Sequence, residues 1–192
     1  MIVLVLPDPV TDNDDLQRAL RGDKQALAQL YRRYLDPIYQ FTRLRVGDPA
    51  IAEDITSTVF LKMVTGIKQN KGPNRNVRGW LFKVARHEIY RHYGKTESLP
   101  IETIDQWFQD HSAANPESSI MEAADRDTMR EAMRLLSSDQ QEVLLLRFDQ
   151  QLSLQETADI MGKNLNTVKT LQLRALKKLR QIIQRERTRR QL

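Results

Sequence analysis

From Asp14 to about Val46 the apolar residues Leu27, Leu30, Tyr31, Tyr34, Leu35, Ile38 and Tyr39 recur at intervals of three and four, which predicts a helical stripe. Gly22-Asp23 is the point where this pattern can break into a short helix and a longer one. "GDPAIAEDI" then reads as a turn and a helix start, with Asp48 at the N-cap, Pro49 at the first helical position, and Glu53 and Asp54 in the first turns. Ile51, Ile55, Val59 and Met63 continue that helix on one face, while Phe60 and Leu61 fall off the stripe. "KQNKGPNRN" is a loop by composition, with Gly72-Pro73 as its breaker. Asn76 can cap a third helix with Trp80, Leu81, Val84 and Ala85 as its apolar residues and Gly94 as its end. The spacing of Trp80 with Val84 assigns Trp80 to the core.

Residues 96–128 show no sustained period. Pro100, Pro116 and the polar "HSAANPESS" predict a linker, with room for a short helical piece around Ile104–Phe108. Helical patterning resumes from about Ile120 through Leu136, and Ser137 or Ser138 can cap the next helix, which carries Val143, Leu144 and Phe148. Ser153 with Glu156 three residues on is a capping box, so another helix starts there. Its buried candidates are Ala158, Ile160 and Met161, and Gly162 is the expected terminator. Asn164 or Asn166 can cap the last helix, along one face of which lie Val168, Leu171, Ala175, Leu179 and Ile182. No strand-like alternation appears. The expected fold class is all-α: two small helical domains at 12–95 and 129–186, joined by a flexible tether at 96–128.

Composition narrows the class. A chain of 192 residues has room for one ordinary domain or two small ones, and at 40% hydrophobic and 29% charged it is soluble and foldable. With no cysteine there is no disulfide framework and no thiolate zinc site, which fits a cytoplasmic protein. No apolar run approaches the length needed to cross a bilayer, so no membrane segment of its own is expected. "MIVLVLP" lacks a basic flank and makes a poor signal peptide. The net charge of +5 favours an anionic partner, and its distribution is more telling than its sum. Residues 71–95 oppose seven basic residues with Glu88 alone; residues 96–128 carry eight acids against Arg126; residues 163–192 are basic again, with only Glu186 opposing.

The second basic block supplies the chemistry. Two helices joined by a tight turn containing glycine, the second strongly basic, make the helix-turn-helix pattern. Its second helix enters the major groove, its N-terminal residues reach base edges, and flanking Lys and Arg neutralise phosphates. No catalytic constellation accompanies it. "HEIYRH" at His87–His92 places its histidines five apart, about 140° around a helix, which excludes a shared metal. No glycine-rich phosphate loop is present, so no enzyme, metal or cofactor is expected.

At this point the chain becomes comparable with a known family. "LSSDQQEVLLLRFDQQLSLQETADIMGKNLNTVKTLQLRAL" resembles the C-terminal promoter-binding domain of bacterial extracytoplasmic-function (ECF, group 4) RNA polymerase sigma factors. "AEDITSTVFLKM" and "NVRGWLFKVARHEIYRHYGK" resemble that group's N-terminal domain and occur in the expected order. The resemblance spans about residues 12–184. It implies that Asp54, Ser57, Thr58, Phe60, Leu61 and Lys62 dock on a coiled coil of the largest subunit of core RNA polymerase. By the same resemblance Arg75, Asn76, Arg78, Lys83, Arg86, His87, Tyr90, Arg91 and Tyr93 meet the minus-ten element of promoter DNA, where melting needs basic charge and planes for unstacked bases. Asn164, Asn166, Thr167, Lys169, Thr170, Leu173, Arg174, Lys177 and Lys178 would meet the minus-thirty-five element as duplex. The chain departs from the family pattern at Arg91, where an aspartate is usual, and at Leu171, which replaces an arginine. The resemblance also implies a path for the acidic spacer through positively charged polymerase channels. An anti-sigma factor is a further partner that it allows, and Trp107-Phe108 is a candidate anchor for a partner or for either domain. The competing reading is a conventional helix-turn-helix regulator that binds duplex DNA without polymerase. Such a regulator needs a ligand-binding, receiver or dimerisation domain at residues 12–95, where this chain has a second basic helix instead.

Overall fold

The computed structural model describes residues 9–93, 128–129 and 131–190, and every regular element among them is helical. The acidic spacer with Trp107-Phe108, the Ile104–Phe108 piece, the helix start near Ile120, Gly94 and "MIVLVLP" lie outside the described residues. The chain divides into two compact units, an N-terminal one that holds the helices within Val3–Gly94 and a C-terminal one that holds most of residues 95–192, the grouping of Asp159–Gly162 with the first being its one exception.

The N-terminal unit is a bundle of four helices, α1 (Pro9–Leu20), α2 (Lys24–Val46), α3 (Pro49–Lys68) and α4 (Val77–Tyr93). Gly22, at φ 92°, makes the break between α1 and α2, and Asp23 caps α2 by accepting from the Gln25 and Ala26 amides at 2.8 and 3.2 Å. Asp48 caps α3 through the Ile51 amide, with Pro49 following it. Leu30, Tyr34 and Ile38 are fully buried, as the stripe along α2 requires, whereas Tyr31 stands at its edge and is exposed. They join Leu16, Val59, Met63, Leu81 and Ala85, with Phe41 and Phe82 edge to face at 5.3 Å between ring centres.

Two expectations for this unit are corrected. Phe60 is not off the buried face of α3: it is 4% exposed and meets the Tyr31 ring edge-on at 4.8 Å. Helix α3 buries Ala52, Ile55, Thr56, Val59, Phe60, Met63 and Ile67, a stripe wide enough to take in Phe60 and leave out Leu61. Trp80 and Val84 are half-buried, not core. The buried face of α4 is Val77, Leu81, Phe82, Ala85, Glu88 and Ile89; Phe82, Ala85 and Ile89 centre it away from Trp80, and the buried Glu88 is a member that apolar periodicity does not count.

The loop from α3 to α4 is held by contact of backbone on backbone. The Lys71 amide donates to the Gly66 carbonyl at 2.8 Å, and a Cβ on Gly72 would stand 2.7 Å from the Ile67 nitrogen and 2.8 Å from the Gly66 carbonyl carbon. Neither neighbour can swing aside. Gly72→Ala is therefore expected to destabilise this unit by about 1–3 kcal/mol, read as a lower urea midpoint at unchanged slope.

The C-terminal unit runs from the helical residues 131–134 into α5 (Ser138–Leu144), a π-helical turn (Leu145–Asp149), α6 (Leu154–Met161) and α7 (Leu165–Arg190). Ser137, not Ser138, is the cap of α5, in a reciprocal box with Gln140. Val143 and Leu144 are buried, but Phe148 is 54% exposed. The π turn inserts a residue into the helical count, so the apolar register that buries Val143 throws Phe148 outward. Arg147, in the same turn, reaches the Gln172 side chain of α7 at 3.2 Å and donates to the Leu152 carbonyl.

Candidate nucleic-acid interface

The α6–α7 pair is built by local capping. The Ser153 amide donates to Glu156 at 2.8 Å while the Glu156 amide donates to the Ser153 hydroxyl at 3.1 Å. Gly162, at φ 63°, ends α6, and the Lys163 amide returns to the Ala158 carbonyl at 3.0 Å. Asn164 then caps α7, its Oδ1 accepting from both the amide (2.7 Å) and the hydroxyl (2.8 Å) of Thr167. That division of labour leaves Asn166 exposed and off the cap. Ala158, Ile160, Met161, Val168, Ala175 and Leu179 are buried; Leu171 and Ile182 are partly so.

The opposite face of α7 presents Asn166, Lys169, Thr170, Leu173, Arg174 and Lys177 to solvent. Asn164, Asn166, Thr167, Thr170, Leu171 and Arg174 line a shallow hollow of about 440 Å³ on it. Lys178 is exposed, but its ammonium donates to the Leu135 carbonyl, so it ties α7 to the chain before α5. Leu171, which stands where the family resemblance expects an arginine, flanks the hollow and takes no charge to it.

On α4, Asn76 acts as an N-cap, its Oδ1 accepting from the Gly79 amide at 2.7 Å. Lys83 and His87 are exposed, and Arg86 and Tyr90 are partly exposed beside them. The Arg86 guanidinium lies 4.3 Å over the Tyr90 ring and donates to its hydroxyl at 3.0 Å, a pre-stacked cation and aromatic plane. Arg75 is exposed in the preceding loop, and Arg78 is half-buried. Tyr93 is the last residue of α4.

Glu88 links two of the surfaces that the resemblance separates. Its side chain is 1% exposed and binds Lys62 of α3, with Arg91 at 2.6 Å and His87 at 3.4 Å. Lys62 and Arg91 are therefore partners of a buried carboxylate as well as surface cations. Arg91, where an aspartate is usual, balances that charge within its own helix. Burial alone would raise the Glu88 pKa; the Lys62 hydrogen bond, the His87 contact and the Arg91 charge outweigh it and hold it below the ordinary glutamate value. A depressed folded pKa contributes stability above the unfolded-state value and loses it as pH falls through the folded one. Wild type should exceed Glu88→Gln in stability by a constant margin at neutral pH, and that margin should shrink on acidification below about pH 4.3. Urea titrations of both proteins across that range check it.

The remaining candidates lie on α3. Asp54, Ser57 and Leu61 are exposed, Leu61 at 66%, and Thr58 is half-buried. Phe60 lies beneath them and supports the surface from inside. Asp54 and Thr58 line a hollow of about 340 Å³ with Ile51, Ile55, Glu88, Arg91 and His92. Sequence reasoning missed Glu88 as an organising residue. Its isolation as the one acid in a basic block was the available signal.

Two helical units, each presenting a basic helix and the second in helix-turn-helix form, define a bipartite nucleic-acid-binding protein. Residues 30–98 match the family model for Sigma-70 region 2, and residues 132–181 match that for Sigma-70, region 4. The chain is 34% identical over 182 residues to the ECF RNA polymerase sigma factor BldN of Streptomyces coelicolor, covering 91% of this chain and 69% of that protein. It is 30% identical over 170 residues to the ECF RNA polymerase sigma factor SigD of Mycobacterium tuberculosis, covering 84% and 79%. Its fold is similar to the sigma factor RpoE of Bartonella quintana, solved with the anti-sigma factor NepR, at a TM-score of 0.58 and 22% identity over 82% of this chain and 96% of that one. The chain belongs to the ECF RNA polymerase sigma factors. It is an alternative sigma factor that binds core RNA polymerase and directs promoter-specific initiation; a regulator acting without polymerase is not favoured. No helix among the described residues is long and apolar enough to cross a membrane.

Proposed function

We propose that three helices divide the work of this sigma factor. The exposed face of α7, from Asn166 through Thr167, Lys169, Thr170, Leu173 and Arg174, reads the minus-thirty-five element as duplex, with Asn164, Lys177 and Lys178 toward the backbone. Arg75, Asn76, Arg78, Lys83, Arg86, His87, Tyr90, Arg91 and Tyr93 engage the minus-ten element, the Arg86–Tyr90 stack offering a plane to an unstacked base. Asp54, Ser57, Thr58, Leu61 and Lys62 form the polymerase surface, with Phe60 supporting it from the core. On this reading residues 12–95 are the melting domain, 129–186 the upstream-reading domain and 96–128 the connection through polymerase.

The observation that carries the reading is the exposed strip of α7, capped at Asn164 and polar or basic on either side of Leu173. The protein is a group 4 member and works in the cytoplasm. It makes no bond itself: polymerase does the chemistry while the sigma factor positions and opens the duplex. An anti-sigma factor is its regulator, a proposal supported by the complex of RpoE with NepR. Footprinting of the reconstituted holoenzyme on a promoter fragment tests the division of roles. Two protected segments, with oxidation-sensitive unpaired thymines beside the start only when the chain is present, are expected. Protection by the chain alone, with no opening, would contradict it.

A further inference from the structure

The reading face of α7 contains an apolar element that its basic character conceals. Asn166, Thr170, Leu173, Arg174 and Lys177 fall at i, i+4, i+7, i+8 and i+11, so they form one strip along the helix. Leu173 is 68% exposed in the middle of it, the most exposed large apolar side chain among the described residues. The Thr170 hydroxyl donates back to the Asn166 carbonyl at 2.8 Å, which commits its hydrogen to the helix, so that its γ-methyl is the group it can offer to an apolar neighbour. Hydrogen-bonding side chains therefore stand at both ends, Asn166 and Arg174, with two hydrocarbon groups between them.

We propose that Thr170 and Leu173 read the 5-methyl group of thymine in the upstream promoter element, a specificity that rests on the duplex-reading role given to α7. The chemistry of the major groove leaves one apolar feature for such a strip to meet, because the other base edges there present hydrogen-bond donors and acceptors. A thymine at that position brings methyl against methyl. A cytosine or a purine places a polar edge under Leu173, where its hydration is lost and no partner replaces it. The strip thus selects in both directions, by contact with the right base and by uncompensated desolvation of the wrong ones. Leu171 lies to one side and is partly buried, whereas Lys169, one turn before Leu173, is exposed at the edge of the strip, where its long stem can carry the ammonium out to phosphate.

The test uses the holoenzyme and a promoter recovered by transcription of genomic fragments. Each thymine of its upstream element is replaced singly by uracil, which removes the methyl and keeps every hydrogen bond. Wild-type holoenzyme should bind about three- to fivefold more weakly at one or two of these positions, the effect of about one buried methyl. Thr170→Ser, which keeps the hydroxyl, and Leu173→Ala should each reduce that difference between thymine and uracil, and the double variant should abolish it. Leu173→Met should retain most of it. Equal binding of all uracil templates by wild type, or a thymine preference undiminished in the double variant, overturns the inference. Scrambling the whole element separates the two levels. If scrambling weakens binding while uracil does not, the methyl reading alone falls; if scrambling changes nothing, the duplex-reading role of α7 falls and takes the inference with it.

Discussion

Arg33→Ala should remove about 3–5 kcal/mol from the stability of the N-terminal unit, the largest loss expected from any single surface-reaching side chain in it. Arg33 joins Asp12 at 2.5 Å and Asp15 at 2.9 Å, and these acids are only 6% and 4% exposed. The Tyr34 hydroxyl also donates to Asp12, from a fully buried ring. Burial first, then the hydrogen bond to Asp12 and its charge, push the Tyr34 phenol far above its ordinary pKa, so it stays a donor at every working pH. Without Arg33 two carboxylates remain in a poorly hydrated site with a phenol; Arg18, 3.5 Å from Asp15, still pairs with one of them, and Asp12 loses its guanidinium. A unit of this size has little stability to spare, so both α3 and α4 surfaces would be lost with it. Urea unfolding followed by Trp80 fluorescence in a Trp107→Phe background measures the effect. Removing the charges together, in Asp12→Asn, Asp15→Asn and Arg33→Met combined, should recover much of the loss, because the penalty arises from unpaired ions. A loss below about 1 kcal/mol for Arg33→Ala would mean that the acids reach water, as in a surface pair.

Arg174→Ala should act on DNA and leave the fold alone. The residue is exposed, one turn beyond Thr170, and lines the hollow on the face of α7 proposed to read DNA. If its guanidinium meets a base edge, its loss costs about 1–3 kcal/mol, or roughly five- to 150-fold in promoter binding. Core polymerase affinity and thermal stability should be unchanged. The salt dependence distinguishes base from phosphate contact: a lost phosphate contact lowers the slope of log K against log salt by about 0.9 and weakens all sequences alike. Competition binding of the holoenzyme on promoter and scrambled fragments, at several salt concentrations, gives both quantities. Unaltered promoter preference would remove Arg174 from the reading set.

The parts of the fold that depend on local chemistry were legible in the sequence. Asp48-Pro49, Ser153 with Glu156, and Gly162 each act within four residues, so the residue types alone mark the helix ends. The two ambiguous caps resolved to Ser137 and Asn164, and the choice fixed which asparagine remains free at the start of α7. What was not legible depends on distant or irregular structure. Phe60 looked peripheral because its partner, Tyr31, lies on another helix. The spacing of Trp80 with Val84 points to the core, but the buried arc of α4 lies to one side of both and includes Glu88, whose burial Lys62, 26 residues away, makes tolerable. Phe148 left the apolar register at a π turn, which no apolar spacing announces. The candidate DNA residues on α7 are those that the family resemblance implies, whereas the pairing of Lys62 and Arg91 with the buried Glu88 is a tertiary contact that no local pattern announces.

The most direct test of the account is a titration of the full chain against core RNA polymerase freed of sigma subunits, at physiological salt, with transcription from genomic fragments as the readout. The account predicts saturable one-to-one binding that starts transcription at defined sites, with the chain alone showing no tight duplex binding. Tight association of the chain by itself with a palindromic duplex, and no binding to core polymerase, would contradict it.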